Sequence, residues 1–237
     1  MAIYACSDLH GNLRLFHQIK EFLKPEDKVY VLGDMGDRNK REWCWQIIKE
    51  IISDDQFIVL KGNHEDMLVS AMKQYCGNEM NFFGDELAIQ LLYSNGGAHT
   101  FDGWVNDGAY EGWINHLNKL PLTAEYINKK GQKILMSHAG YTPGKFNWGE
   151  DLLWDREHIY DAWPAEKEFE NTFIVHGHTP VQYMNERLNI KEDTHIYCEG
   201  HKIDLDCWTA HSHTTVLLNL DTLTLIPFVE DFEEEKN

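Results

Sequence analysis

Short apolar runs recur along this chain, and each stops at a cluster of Gly, Asp, Asn or His. Residues 29–32 (Val-Tyr-Val-Leu) lead into Gly33-Asp34-Met35-Gly36-Asp37-Arg38, and Ile3–Cys6 leads into Ser7-Asp8-Leu9-His10-Gly11. Residues 57–60 lead into Lys61-Gly62-Asn63-His64-Glu65, residues 134–136 into Ser137-His138-Ala139-Gly140, and residues 173–175 into His176-Gly177-His178-Thr179-Pro180. An apolar run this short, bounded by turn residues, predicts a buried strand. Between the first three runs, helical spacing predicts helices over 13–23 and 41–53, and a further one over 67–75 after the third; the second carries a stripe of Trp43, Ile47, Ile48, Ile51 and Ile52. Strands alternating with helices predict an α/β fold, and such folds place their chemistry at the C-terminal ends of the strands.

The pattern changes after residue 76. Residues 76–120 are rich in aromatics, show helical spacing over 85–93 and 113–120, and break at Asn95-Gly96-Gly97 and Asp107-Gly108. They are expected to form an inserted helical cap that packs beside the site. Residues 121–128 and 132–137, joined by Lys129-Lys130-Gly131, predict two strands that begin a more antiparallel half. A loop over 140–149 leads to Leu152-Leu153-Trp154-Asp155-Arg156-Glu157, whose apolar residues are expected to draw Arg156 towards the core. Strands over 214–220 and 223–229 are expected to close a second sheet.

Composition narrows the functional classes. The chain has 237 residues, 43% of them hydrophobic and 12% aromatic, enough for a sizeable core in one domain over 1–229 with an acidic tail at 230–237. No apolar run approaches the length of a membrane span, and the five cysteines lack a framework spacing, so a reduced, cytoplasmic protein is expected, with no membrane partner. A net charge of -18 and no basic stripe argue against a nucleic-acid partner. A phosphorylated ligand would need a local cationic site, which bound metal ions and a few arginines can provide.

The five strand ends collect Asp8, His10, Asp34, Asn63, His138 and His178. Six mixed nitrogen and oxygen donors exceed what one tetrahedral ion needs, whereas two ions sharing a bridging carboxylate use them well. Asp34, placed on a central strand, is the natural bridge. Two ions about 3.5–4 Å apart can clamp a phosphoryl group and generate hydroxide near neutral pH. Taken singly, each His is more simply a hydrogen-bonded structural residue; it is the repetition at successive strand ends that points to one shared site.

The ordered set D-x-H, G-D-x-x-D-R, G-N-H-E, S-H-A-G and G-H-T-P resembles the calcineurin-like metallophosphoesterases. With the later L-W-D-R-E it resembles their phosphoprotein phosphatase branch, especially the short bacterial and phage-type serine/threonine protein phosphatases. The resemblance implies a four-layer α/β fold, two mixed β-sheets packed face to face with flanking helices. It also implies that Asp8 and His10 hold a first metal, that Asp34 bridges, and that Asn63, His138 and His178 hold a second. Arg38 and Arg156, together with Asn63, would contact the substrate phosphate, and His64 paired with Asp37 would be the general acid. The implied reaction is attack of a metal-bridging hydroxide on the phosphoryl group of a phosphorylated protein, with two divalent ions as cofactors: manganese first, with iron, zinc or nickel as alternatives.

Two departures qualify this resemblance. Pro180 stands where many relatives carry a second His after G-H-x, and residues 203–208 (Ile-Asp-Leu-Asp-Cys-Trp) stand where an Asp-Thr-Gly turn is common. His176 has no assigned role. A symmetrical dinucleoside polyphosphate hydrolase, acting on a nucleotide such as diadenosine tetraphosphate, shares the same core motifs and remains an alternative, as does a non-catalytic metal-binding scaffold. The C-terminal set Cys198, His201, Cys207, His211 and His213 matches no standard zinc spacing and reads as structural.

Overall fold

The computed structural model describes residues 1–77, 86–145, 149–183 and 197–230. Two five-stranded sheets pack face to face. The first has the order β10-β9-β1-β2-β3, with β1 (Ile3–Cys6), β2 (Lys28–Val31) and β3 (Phe57–Val59) parallel and β9 (Thr214–Asn219) and β10 (Thr224–Val229) antiparallel beside β1. The second has the order β4-β5-β6-β8-β7. Its centre, β5 (Lys133–Ser137), β6 (Thr172–His176) and β8 (Lys202–Asp204), is parallel, while the edges β4 (Thr123–Ile127) and β7 (Tyr197–Glu199) are antiparallel.

Alternate residues of the first sheet face two different cores, as the two-residue period of a strand requires. Ile3 and Ala5 of β1 and Val216 and Leu218 of β9 meet Ile134, Met136, Val175 and Ile203 between the sheets. Tyr4, Cys6, Val29, Val31, Phe57, Val59 and Leu217 point the other way, against the helices. This corrects the expected place of the last two strands. They extend the first sheet, because the first five residues of β9 are buried, with side chains for both cores, and such a strand belongs in a sheet interior. The central strand of that sheet is therefore β1; β2, whose following loop carries Asp34, lies one strand from the edge.

Helix α1 (Leu13–Phe22) starts where the Asn12 side chain accepts from Leu15 N at 3.1 Å, and it buries Leu15, Phe16 and Ile19. Helix α2 (Arg41–Ser53) has the expected span but a shifted stripe. Trp45 is buried against Trp113 at 4.9 Å between ring centroids, whereas Trp43 is half-buried under the cations of Arg14 and Lys40. Helix α3 (Asn63–Tyr75) starts four residues earlier than its apolar spacing predicts, because the Glu65 carboxylate reaches back to Gly62 N at 2.9 Å and caps the first turn.

The expected cap contains α4 (Glu86–Ser94), α5 (Ala98–Asp107) and α6 (Tyr110–Asn118). Helix α5 escapes the sequence pattern because it follows two glycines and contains a third, Gly103, whose bare backbone lies against the Trp45 side chain. The short α7 (Asp151–Trp154) precedes β6, and α8 (Thr209–Ser212) joins β8 to β9. Glu230 is no frayed residue. It is buried and accepts from Asn12 Nδ2 and Arg14 Nη1, each at 3.0 Å, while residues 231–237 of the expected tail lie outside the described residues. Among the described residues no helix is long and apolar enough to cross a membrane.

Candidate active site

The loops after β1 and β2 stay hydrogen-bonded beyond the strands. Asp8 N donates to Gly33 O (3.2 Å), His10 N to Asp34 O (3.0 Å) and Gly11 N to Met35 O (2.8 Å). The backbone must curl left-handed to do this. Nine described non-glycine residues have positive φ, and seven of them gather here: Asp8, His10, Asp34, Asp37, Arg38, His178 and Trp208. Each costs roughly 1–2 kcal/mol for an L-residue, so strain on this scale in one place marks a site whose side-chain directions matter more than local comfort.

The structure brings all ten sequence-selected residues to one end of the two sheets. Asp34 lies at the centre. Its Oδ2 is 3.8 Å from both His10 Nε2 and His64 Nε2, and its Oδ1 is 3.4 Å from His138 Nε2. Two groups of closely converging donors share it: His10, Asp34 and His64 on one side, and Asp34, His138 and His178 on the other. Asp8 Oδ1 is 3.9 Å from His10 Nε2, and Asn63 Oδ1 lies 2.8 Å from His138 Nε2 and 3.1 Å from His178 Nδ1.

This donor set fits divalent cations. Asp8 Oδ1 and His178 Nε2 are buried without a hydrogen-bond partner, an arrangement that a bound ion relieves. Burial and then the cations and imidazoles around them hold His10 and His178 well below the ordinary imidazole range, so both present neutral nitrogen lone pairs. Burial, and also the neighbouring Asp34, raise the Asp8 carboxyl; the opposing pull of His138 does not cancel this. A cation between the carboxylates reverses that repulsion. Mixed imidazole and carboxylate donors suit manganese, iron, zinc or nickel.

His64 behaves differently from His10 and His178. Burial alone would lower it, but the Asp34 and Asp37 carboxylates prevail and raise it above its usual value. Asp37 Oδ2 stands 2.5 Å from His64 Nδ1, and Asp37 is itself held by Thr100, whose Oγ1 donates to Oδ1 and accepts from Asp37 N at 3.0 Å. The Arg38 guanidinium extends to His64 Nε2 (2.8 Å) and His10 Nε2 (3.0 Å). The backbone of Arg38 is fixed by Gly96 O at 3.1 Å. The cap thus reaches the site through Thr100 and Gly96, both of which position protein groups.

Arg156 is exposed, not drawn into the core; of the apolar residues before it only Leu153 is buried. It reaches back over the site, donating to His178 O at 2.9 Å. Together Arg38, Arg156 and His178 line a cavity of about 500 Å³.

Several contributors escaped the sequence reading. Glu65 accepts from Asp34 N (2.8 Å), Met35 N (2.9 Å) and Gly62 N (2.9 Å), locking two loops together. Ser7 Oγ donates to Asp8 Oδ2 at 2.5 Å, and a Cβ at Gly177 would strike both side chains, so that glycine permits the two sheets to meet. Asp206, buried and pushed well upward by burial and by Asp8, anchors Trp208 N at 2.8 Å. His176 does not join the donor groups. Its Nε2 is 3.3 Å from His158 Nε2 in a separate buried pair. Nor do the C-terminal residues assemble: His201 bonds Thr172 O, His213 lies on Glu230, His211 packs on Trp208, and the Cys198 side chain lies outside the described residues.

A family model for calcineurin-like phosphoesterases matches residues 1–215. The chain belongs to the calcineurin-like phosphoesterase family. It is therefore a metal-dependent phosphatase, and the family's use of divalent metals agrees with the donor groups around Asp34. It is 26% identical over 190 residues to "Serine/threonine-protein phosphatase 2" of Escherichia coli, covering 74% of this chain and 78% of the relative. It is 24% identical over 212 residues to the protein of the same name from Salmonella typhimurium, covering 84% and 89%. Among solved structures, one carrying the provisional name diadenosine tetraphosphatase aligns with a TM-score of 0.58 at 13% identity, over 95% of this chain and 92% of the other. A metallophosphoesterase from Sphaerobacter thermophilus aligns at 0.53 and 12%, over 98% and 89%. At these identities the two structures establish the metallophosphoesterase fold alone.

Proposed function

We propose that this chain is a serine/threonine protein phosphatase that uses two divalent ions, manganese first among them, with a phosphorylated protein as its cytoplasmic substrate. Asp8, His10 and Asp34 would hold one ion, and Asp34, Asn63, His138 and His178 the other. The observation that carries this reading is Asp34 standing between two donor groups, with the His64–Asp37 pair and Arg38 directly beside it. When bound, the ions supply Lewis-acid charge for the phosphoryl oxygens and lower the pKa of water.

The protein's own groups do the rest. Arg38 and Arg156 bind phosphoryl oxygens with planar donors that match a tetrahedral anion. Once Arg38 turns to the phosphate, His64 Nε2 is released to face the leaving oxygen. A new P–O bond forms on the opposite side from hydroxide, whose parent water has given one proton to solvent, the P–O bond to serine or threonine breaks, and the departing alkoxide takes the His64 proton. Asp37 keeps the ring oriented and stabilises the imidazolium. The net charge of -18 supports a reading without a nucleic-acid partner, and no membrane partner is part of it.

The test is a set of initial rates on a phosphoserine peptide and on diadenosine tetraphosphate with manganese-reconstituted protein, Asp34→Asn serving as blank. Preference for the peptide is expected. Preference for the dinucleotide would move the assignment to the nucleotide hydrolase, and turnover of neither would favour a binding scaffold.

A further inference from the structure

Trp208 occupies a backbone conformation that suits it poorly. It has φ 57° and ψ 44°, in the left-handed region where a bulky residue is an outlier. The turn is built to hold it there. Asp206 Oδ1 accepts from Trp208 N at 2.8 Å, and the Trp208 carbonyl accepts from His211 N (2.8 Å) and Ser212 N (2.9 Å) at the start of α8. An observed outlier so firmly held calls for a use of the side chain.

Its ring is half-buried in a row with two others: Tyr183 lies 5.5 Å away between centroids, and His211 4.6 Å. These three rings line the same cavity as Arg38, Arg156 and His178. A phosphate bound by the two guanidiniums therefore has an aromatic wall within one ligand-sized space, formed by Trp208 with Tyr183 and His211 inclined to it at 48° and 52°. The cavity's volume, about 500 Å³, exceeds what a phosphoryl group needs and falls in the range of sites that enclose a whole small ligand.

We propose that Trp208, flanked by Tyr183 and His211, forms a specificity subsite for a ring side chain next to the phosphorylated serine or threonine of the substrate. The inference rests on the protein phosphatase reading. Neighbouring Cα atoms of a peptide are 3.8 Å apart, and since successive side chains of an extended chain point to opposite faces, a flanking ring comes beside the phosphate when the bound peptide turns at the phosphoserine. Aromatic rings gain from stacked or edge-on contact beyond the area they bury. A Phe or Tyr beside the phosphoresidue satisfies both conditions.

Two phosphoserine peptides that differ only in a flanking Phe or Ala test this, assayed with wild-type protein, Trp208→Gly and Trp208→Phe. The wild type should favour the Phe peptide by roughly 10-fold in kcat/KM, mainly through KM. Glycine accepts positive φ without strain, so Trp208→Gly should fold, as a thermal melt will show, and bring the ratio close to one. Trp208→Phe should retain most of the preference. Equal rates on both peptides in the wild type, or an unchanged ratio in Trp208→Gly, overturn the subsite and leave the protein phosphatase reading standing. Hydrolysis of diadenosine tetraphosphate with neither peptide cleaved overturns both, and gives the aromatic wall to a nucleobase.

Discussion

At the scale of single residues, His64 and Asp34 lie 3.8 Å apart yet should fail in different ways. His64 Nε2 converges with His10 and Asp34 closely enough to serve as a ligand, but its Nδ1 is committed to Asp37 and the Arg38 cation lies against its Nε2. Arg38 lies equally against His10 Nε2, so what separates the two is Asp37, which together with Asp34 raises His64 and favours its protonated form, a ring with no lone pair to offer a cation. His64→Asn is therefore expected to keep its metal and lower turnover by roughly 10²- to 10⁴-fold, the usual worth of a general acid. Asp34→Asn should lose metal as well as turnover. Metal analysis of the two purified variants decides this, and equal metal loss in both would make His64 a ligand. The ten residues themselves were legible in the sequence because each follows an apolar run or sits in a motif. Thr100 was not, since its bond to Asp37 joins positions 63 apart in the chain and no local pattern encodes it.

At the scale of elements, α1, α2 and the first three strands follow directly from apolar spacing, whereas the start of α3 does not. It depends on Glu65, whose carboxylate serves as the helix cap and as the acceptor for two amides of the β2 loop. A sequence shows the Glu three residues after Gly62, but it does not show that Asp34 N and Met35 N will arrive at the same oxygens. The final strands illustrate the same limit: their alternation is visible, and their sheet is chosen by which core receives Leu217 and Leu218. Glu65→Gln provides a direct measure. An amide turns an N–H₂ group towards at least one of three buried N–H donors, leaving it unsatisfied at a cost of about 2–3 kcal/mol. For a chain of this size the midpoint of thermal unfolding should fall by roughly 5–10 °C. Because the same carboxylate positions the Asp34 loop, metal affinity should fall too. A melt and a metal titration indistinguishable from wild type would show that the three bonds do not hold the loop.

At the scale of the whole molecule, the site is where both sheets and the cap converge, so its occupancy should be felt as global stability. Asp8, Asp34, His138 and His178 come from the loops after β1, β2, β5 and β6, and Asn63 from the start of α3. An ion bound to this set links the two sheets, and it does so only in the folded chain, because the unfolded chain has no such arrangement. Without a cation, burial and then the neighbouring Asp34 carboxylate raise the cost of ionising Asp8. Ligand linkage gives the size: a metal at 100 times its dissociation constant stabilises by about 2.7 kcal/mol per site, so the two sites together correspond to a shift of roughly 10–20 °C. Chelator-treated protein should therefore melt at a lower temperature by that amount and regain it when Mn²⁺ is added. Asp34→Asn should melt close to the chelated wild type and gain little from Mn²⁺, because it has lost both the bridge and part of the repulsion. A melting temperature that ignores both chelator and metal would mean that these five segments are held together by their protein contacts alone, and that the donors around Asp34 do not form a tight cation site.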